Sequence, residues 1–305
     1  MKVPTIEDMG MLPRDRYQWR LRTRTLALGV RTLVMGIVNA TPDSFSDGGE
    51  FAAVDTAVAH AVRLLDEGAD IIDIGGESTR PGASAGTAEA VSEIEEQRRV
   101  LPLIEALLHV RPDAIVSVDT YRASTAREAL RLGAEIVNDV SGMQWDERMA
   151  GVCADSGCGV VAMHTRGLPS EWATQKRLDA DAIVPMVMDG LRSSVEQLAR
   201  AGCARESIVL DLGFGFGKRG DENWVLLREL NRLRELGFPL LGGVSRKGFL
   251  RSAAAASTRD ELDDATATAN AIAAIGGAHV VRVHDVARTV RAVTVADAAL
   301  VAMRG

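Results

Sequence analysis

The chain has 305 residues, of which 47% are hydrophobic and 25% charged, an ordinary globular composition. A net charge of -7 gives no support to a nucleic-acid partner, and no apolar run is long enough to span a bilayer. The length fits two average domains or a single α/β barrel.

The N-terminus carries no apolar signal core ahead of a small-residue cleavage site, which argues against secretion. Three cysteines, Cys153, Cys158 and Cys203, match neither a disulfide framework nor a metal spacing. They read as free thiols in a reducing cytoplasm. Residues 14–31 hold six arginines, but Glu7, Asp8 and Asp15 do not suit a transit peptide, which is poor in acids. Tyr17, Trp19, Leu21 and Thr23 alternate with Gln18, Arg20, Arg22 and Arg24. That period of two predicts a strand with one wet face, and "RTLALG" supplies a second. Residues 1–31 are therefore expected to form an extension with a β-hairpin packed on a main domain at 32–305.

From Leu33 onward short β-rich runs alternate with helical stretches. The runs are Leu33–Val38, Asp70–Ile74, Ile115–Val118, Glu135–Val137, Gly159–Met163, Ser207–Leu210, Pro239–Val244 and Val280–Val283. The stretches between and after them, 53–67, 89–109, 122–132, 146–156, 179–201, 222–236, 264–276 and 285–303, are candidate helices. The first shows one apolar face, Val54, Val58, Ala61, Val62 and Leu65. Gly68, Gly133, Gly202 and Gly237 stand where helices close. The tract 253–257, "AAAAS", reads equally as a helix end or a loop. Eight strand–helix units predict an α/β fold, a (β/α)8 TIM barrel. An open doubly wound sheet would have fewer units or an irregular order, and no low-complexity linker divides the chain.

Chemistry in such a barrel sits at the C-terminal ends of the strands. The residues there are Asn39; Asp73 with "GGESTRPGAS"; Asp119; Asn138 and Asp139; Met163 and His164; Asp211 with "LGFGFGK"; "SRK" at 245–247; and Arg282, His284 and Asp285. Each has a plain alternative: Asn138 or Asp139 can cap a turn, Asp285 the last helix, and Asn39-Ala40-Thr41 is a glycosylation acceptor only in a secreted chain. Converging on one rim, they read as a site. Lys247, Arg282 and His284 suit phosphate oxygens, while Asp119, Asn138 and Asp211 offer acceptors and an amide to a polar heterocycle. Asn39 alone is a weak metal ligand, and Mg2+ fits there only with substrate phosphates and waters. "GFGFGKR" lacks the spacing of a phosphate loop or a dinucleotide fingerprint, and His164 with His284 lacks a third metal ligand.

The segments "MGIVNATPDSFSDGG" (35–49), "IIDIGGESTRPGA" (71–83), "SVDT" (117–120), "IVNDVSG" (136–142), "VVAMH" (160–164), "LDLGFGFGK" (210–218), "SRKGFL" (245–250) and "VRVHDV" (281–286) resemble, in order, the dihydropteroate synthase family. The resemblance runs from about Leu33 to the C-terminus, and its first two segments are the most specific. It implies the joining of 6-hydroxymethyl-7,8-dihydropterin pyrophosphate to p-aminobenzoate with Mg2+, and a homodimer; charge, cysteine usage and the lack of a long apolar run add the expectation of a cytoplasmic protein without nucleic-acid or membrane partners. It implies that Asp119, Asn138, Asp211 and Lys247 hold the pterin, with Met163 and Phe216 lining its pocket. It gives Asn39, Arg282 and His284 to pyrophosphate, Asn39 also to the metal, and Phe45 and Asp47 to a first loop. Thr79, Arg80 and Pro81 would belong to a second loop, and Lys247 and Gly248 would adjoin p-aminobenzoate. Asp119, Asp47, Lys247, Arg282 and His284 would be the catalytic set. The family mechanism is dissociative, with pyrophosphate leaving before the arylamine attacks a pterin cation that water must not reach.

Two positions depart from the family pattern. Leu212 stands where Pro is usual, and Gly248 where Ser is frequent and expected to help bind the p-aminobenzoate carboxylate. A pterin-binding methyltransferase barrel of the kind that feeds corrinoid proteins would not need "TPDSFSDGG" or "STRPGA". A non-catalytic pterin binder would not need Lys247, Arg282 and His284.

Overall fold

The computed structural model describes residues 13–40, 49–79 and 82–302, with the backbone alone at 49–52 and 302. Two short strands, β1 (Tyr17–Arg20) and β2 (Thr25–Leu28), pair antiparallel as the expected hairpin. Eight parallel strands follow: β3 (Leu33–Asn39), β4 (Ile71–Gly75), β5 (Val116–Asp119), β6 (Ile136–Asp139), β7 (Gly159–Met163), β8 (Ile208–Asp211), β9 (Leu240–Gly242) and β10 (Val280–Val283). They close in chain order, β10 pairing with β3, so the expected TIM barrel is the fold.

Helices cover the barrel: α1 (Gly49–Asp66), α2 (Glu93–Val110), α3 (Ala123–Leu132), α4 (Met149–Ser156), α5 (Ala180–Ala201), α6 (Glu222–Arg228), α7 (Gly248–Ala253), α8 (Arg259–Ile275) and α9 (Val286–Ala302). Sequence patterning differs from them by up to four residues at other helix ends and more in three places. The stretch 222–236 is α6 followed by a tighter 3-10 segment, Leu230–Leu236. The last-but-one helix starts earlier than expected, because Thr258 and Glu261 form a capping box at its head. The six-residue α7 has too few turns to show a period, so it was not foreseen.

A strand buried on both faces reads as a nearly unbroken apolar run, as in Leu33–Val38. Alternation then sorts the two faces. Val34, Val38, Ile72, Val116, Val118, Val137 and Val160 face the helices and share their apolar cluster. Leu33, Met35, Ile71, Ile136, Val161, Val209, Leu241 and Val280 fill the interior near the N-terminal ends of the strands. The hairpin seals that end: Trp19, Leu21 and Leu28 join the interior cluster, and Trp19 Nε1 donates to Ser207 O at 2.9 Å. Leu212, at the position where the family pattern has Pro, is fully buried in the outer cluster.

Candidate functional site

The same alternation that puts Ile71, Ile136, Val161 and Val209 inside puts Asp73, Asn138, Met163 and Asp211 inside one step farther along each strand. Ser117 and Asp119 on β5 and Arg282 on β10 share that orientation. The barrel interior therefore turns from apolar to charged along its own axis. A cleft of about 1880 Å³ opens over the charged end, lined among others by Asn39, Asp119, Asn138, Met163, Asp211, Phe216, Lys247, Gly248, Arg282 and His284.

Arg282 is the central cation. Its Nε donates to Asp73 Oδ2 at 2.6 Å and its Nη2 to Asp119 Oδ2 at 2.5 Å. Burial pulls the guanidinium toward release of its proton, but Asp73 and Asp119 together raise its pKa above the ordinary value. Asp119 is pushed upward, first by burial, with Asp73 adding repulsion against the pull of Arg282. Asn138 Nδ2 donates to the same Asp73 oxygen at 3.0 Å.

Across the cleft, Asp211 Oδ1 accepts from Gly213 N at 2.7 Å. Burial raises its pKa, offset in part by that bond and by Lys218 and Lys247. The loop after β8 lets two cations approach. Gly215 has φ +80°, and a Cβ there would lie 3.0 Å from Lys247 Cδ, so only glycine lets this lysine lie across the loop. Lys247 Nζ sits 4.0 Å from the centre of the Phe216 ring. Burial, reinforced by Arg282, lowers the Lys247 pKa to about 8. Lys218, buried beneath the loop, donates from Nζ to His164 O at 2.7 Å and Gly213 O at 2.8 Å, tying the ends of β7 and β8 together. At the end of β10 the His284 Nδ1 is paired with Ser245 Oγ at 2.9 Å.

The rim residues divide as the structure requires. Asn39, Asp119, Asn138, Met163, Asp211, Phe216, Lys247, Gly248, Arg282, His284 and Thr79 line one cleft. Asp139 does not: its carboxylate accepts from Ser141 N and Met143 N at 2.7 and 2.9 Å and shapes its own turn. Asp285 lines the cleft as well, and accepts from Arg288 N at 2.9 Å at the head of α9. His164 packs its ring against Gly190, burial lowers its pKa to about 2, and it does not line the cleft. Among the described residues no group of three or more His, Cys, Asp or Glu could hold a metal ion. Phe45, Asp47, Arg80 and Pro81 lie outside the described residues.

Sequence reasoning passed over three supports. Asp73 was noticed without a role, although a lone Asp inside "IIDIG" is itself a signal. Ser245 steadies His284. Glu77 accepts from Val91 N at 3.0 Å, and from Tyr121 Oη and Arg122 Nη1 at 2.9 Å each, while Gly86 N donates to Tyr121 Oη at 3.0 Å. That set ties down both ends of the loop that carries Thr79.

Comparison with known proteins agrees with this geometry. The family model for pterin binding enzymes matches residues 35–284. The dihydropteroate synthase of Synechocystis sp. is 43% identical over 270 residues, 88% of this chain and 91% of that protein. The dihydropteroate synthase of Xanthomonas albilineans with 4-aminobenzoic acid superposes with a TM-score of 0.84 at 40% identity, covering 93% of this chain and 98% of that one. The same organism's enzyme in complex with 7,8-dihydropteroate gives 0.80 at 38% identity, covering 92% and 98%. With most of its length matched and its charged residues gathered at the rim where the fold puts chemistry, the chain belongs to the dihydropteroate synthase family of pterin-binding enzymes.

Proposed function

We propose that this cleft joins 6-hydroxymethyl-7,8-dihydropterin pyrophosphate to p-aminobenzoate, releasing 7,8-dihydropteroate and pyrophosphate. The observation that carries the reading is the division of the cleft into two chemistries within one cavity. Asp211 and Asn138 offer acceptors on one side, and Arg282 and His284 offer donors on the other. The bound 4-aminobenzoic acid and 7,8-dihydropteroate of the Xanthomonas albilineans enzyme name the molecules such a cavity takes.

In this reading the N–H edge of the pterin lies against Asp211 and Asn138. Asp211 Oδ2 and Asn138 Oδ1 have no partner among the described residues, so each can accept from the ring. Met163 and Phe216 pack its faces, and Lys247, held over Phe216, reaches the ring's acceptor atoms. The pterin CH2–O bond breaks with both electrons going to pyrophosphate. Arg282 Nη1, which has no partner among the described residues, and His284 stabilise that leaving group. Asp119, which lines the cleft, places negative charge near the electron-poor methylene. The arylamine nitrogen then bonds to that carbon and gives up one proton. Gly248 and Thr79, which line the same cleft, belong to the arylamine side.

Mg2+ fits one part of this arrangement. Asn39, at the end of β3, lines the cleft and offers a side-chain oxygen, which suits an ion that keeps its waters and most of its contacts to substrate phosphate. Bound there, the ion would neutralise charge on the pyrophosphate. A cytoplasmic location accords with three cysteines present as free thiols, and no described helix is long and apolar enough to cross a membrane. A homodimer accords with the exposed apolar residues Ile272 and Val295 on α8 and α9. Protein supplied with Mg2+, the pterin pyrophosphate and p-aminobenzoate is expected to release pyrophosphate and form dihydropteroate in equal amounts. Pterin bound tightly without turnover would identify a non-catalytic binder instead.

A further inference from the structure

We infer that Asp73, which does not line the cleft, is the positioning residue that sets the orientation of both halves of the site through a single carboxylate oxygen. Asp73 is fully buried. A buried carboxylate is costly unless its partners compensate it. Among the described residues its hydrogen-bond donors are two, Arg282 Nε at 2.6 Å and Asn138 Nδ2 at 3.0 Å, both on Oδ2. Its other oxygen, Oδ1, has no partner among the described residues. The charge is therefore not spent on capping a helix or tying down a loop. Its two bonds go to two residues that themselves line the cleft.

Each bond decides an orientation. A carboxylate only accepts, so the Asn138 amide must turn its NH2 toward Asp73 and its Oδ1 toward the cleft. Without Asp73 the amide could flip and present a donor where an acceptor is needed. Arg282 is a planar fork whose Nε is fixed on Asp73 while Nη2 meets Asp119, which directs Nη1 to the cavity. Without the Nε anchor the guanidinium can rotate into a paired contact with Asp119 and withdraw from a ligand. The two carboxylates lie on adjacent strands, and Asp73 is the deeper by the strand register, which pairs Asp119 with Gly75 rather than with Asp73. Asp73 thus acts from below on groups that reach the ligand, and it does not touch the ligand.

This rests on the reading that Asn138 meets the pterin and Arg282 the pyrophosphate, and two probes keep the claims apart. Binding of 6-hydroxymethylpterin reads the Asn138 side; binding of inorganic pyrophosphate with Mg2+ reads the Arg282 side. Both are measured by calorimetry on the intact protein. Asn138→Ala is expected to weaken only the first and Arg282→Gln only the second; if either leaves its own probe unaffected, the assignment of the two sides is wrong. Asp73→Ala is expected to weaken both by tenfold or more. Asp73→Asn keeps one side-chain oxygen able to accept the same two bonds, and is expected to recover at least part of both losses. In the double variant with Arg282→Gln, Asp73→Ala is expected to add less than threefold to the pyrophosphate loss. Should Asp73→Ala not accumulate folded, Asp73→Ser replaces it. Asp73→Ala binding both probes within twofold of the parent, while Asn138→Ala and Arg282→Gln each behave as stated, overturns the inference. So does Asp73→Asn binding no better than Asp73→Ala.

Discussion

The two ends of the barrel use the same strands, the same side-chain parity and opposite chemistry. At the N-terminal end the inward positions are Leu33, Met35, Ile71, Ile136, Val161, Val209, Leu241 and Val280, closed over by Trp19, Leu21 and Leu28 of the hairpin. Two residues farther along the same strands the inward positions become Asp73, Asn138, Met163, Asp211 and Arg282. One end is dry and plugged; the other gathers the carboxylates of Asp73, Asp119 and Asp211 with the cations of Arg282 and Lys247 under an open cleft. The plugged end needs only volume and exclusion of water, which a hairpin outside the strongest family match supplies. The open end keeps polar groups that would be unfavourable if the substrate did not pair with them. Stability and activity should therefore separate along the barrel axis.

The largest separation is expected from one substitution at each end. Asp211→Ala removes a carboxylate that can take N–H groups from a pterin. Charged hydrogen bonds contribute about 1.5–3 kcal/mol each, so two lost bonds lower pterin affinity by roughly 100-fold or more. The variant should lose pterin binding by calorimetry while its thermal midpoint moves little. Near-normal affinity would remove Asp211 from the site. Trp19→Ala should do the reverse. It empties a fully buried indole volume and loses the bond to Ser207 O, a cost of about 3–5 kcal/mol in urea unfolding. At temperatures where it remains folded, its KM for both substrates should match the parent. A Trp19→Ala protein with altered KM would show that the two ends are mechanically coupled.

A smaller effect lies in the pH profile. Burial depresses Lys247 to about 8, so its cationic form declines as pH rises through that value. Asp119 is raised above the ordinary carboxylate range, so its anionic form grows in as pH rises toward neutrality. A site that needs both charges has a bell-shaped kcat/KM, with its acid limb higher than an ordinary Asp gives and its alkaline limb near 8. Lys247→Gln should lower activity and abolish the alkaline limb. An alkaline limb unchanged in that variant would assign it to the substrate or to another group. No residue at the plugged end should move either limb.

The barrel was legible because burial on both strand faces leaves apolar runs, and because glycines such as Gly133 and Gly202 close helices in the left-handed conformation. The rim was legible because the fold assigns chemistry to strand ends. What could not be read is what depends on register between distant segments. Asp73 and Arg282 are 209 positions apart, and nothing local says that one holds the other. The rim pattern points to Asn138 and gives Asp139 no role in the site; in the structure Asn138 lines the cleft while Asp139 accepts from Ser141 N and Met143 N. Lys218 read as part of a failed phosphate motif because its partners are carbonyls, which leave no pattern in a sequence.

The smallest expected effect is a gain, at the position where this chain departs from its family. Gly248 is the first residue of α7 and lines the cleft beside Lys247. A Cβ built on it meets nothing within 4 Å, so a side chain there would enter open space. Its backbone is not left-handed, so Gly248→Ser needs no strained conformation and removes some unfolded-state freedom. The family resemblance places a serine hydroxyl here against the p-aminobenzoate carboxylate. One such bond contributes about 0.5–1.5 kcal/mol net, a factor of roughly 2 to 10. Gly248→Ser should therefore lower the KM for p-aminobenzoate by that factor, leave the affinity for 6-hydroxymethylpterin unchanged, and leave the thermal midpoint equal or slightly higher. Gly248→Ala has the same backbone consequence without the hydroxyl and should leave KM where it is. If alanine lowers KM as far as serine does, the gain comes from ordering the start of α7, and the arylamine carboxylate in this chain is held by the backbone alone.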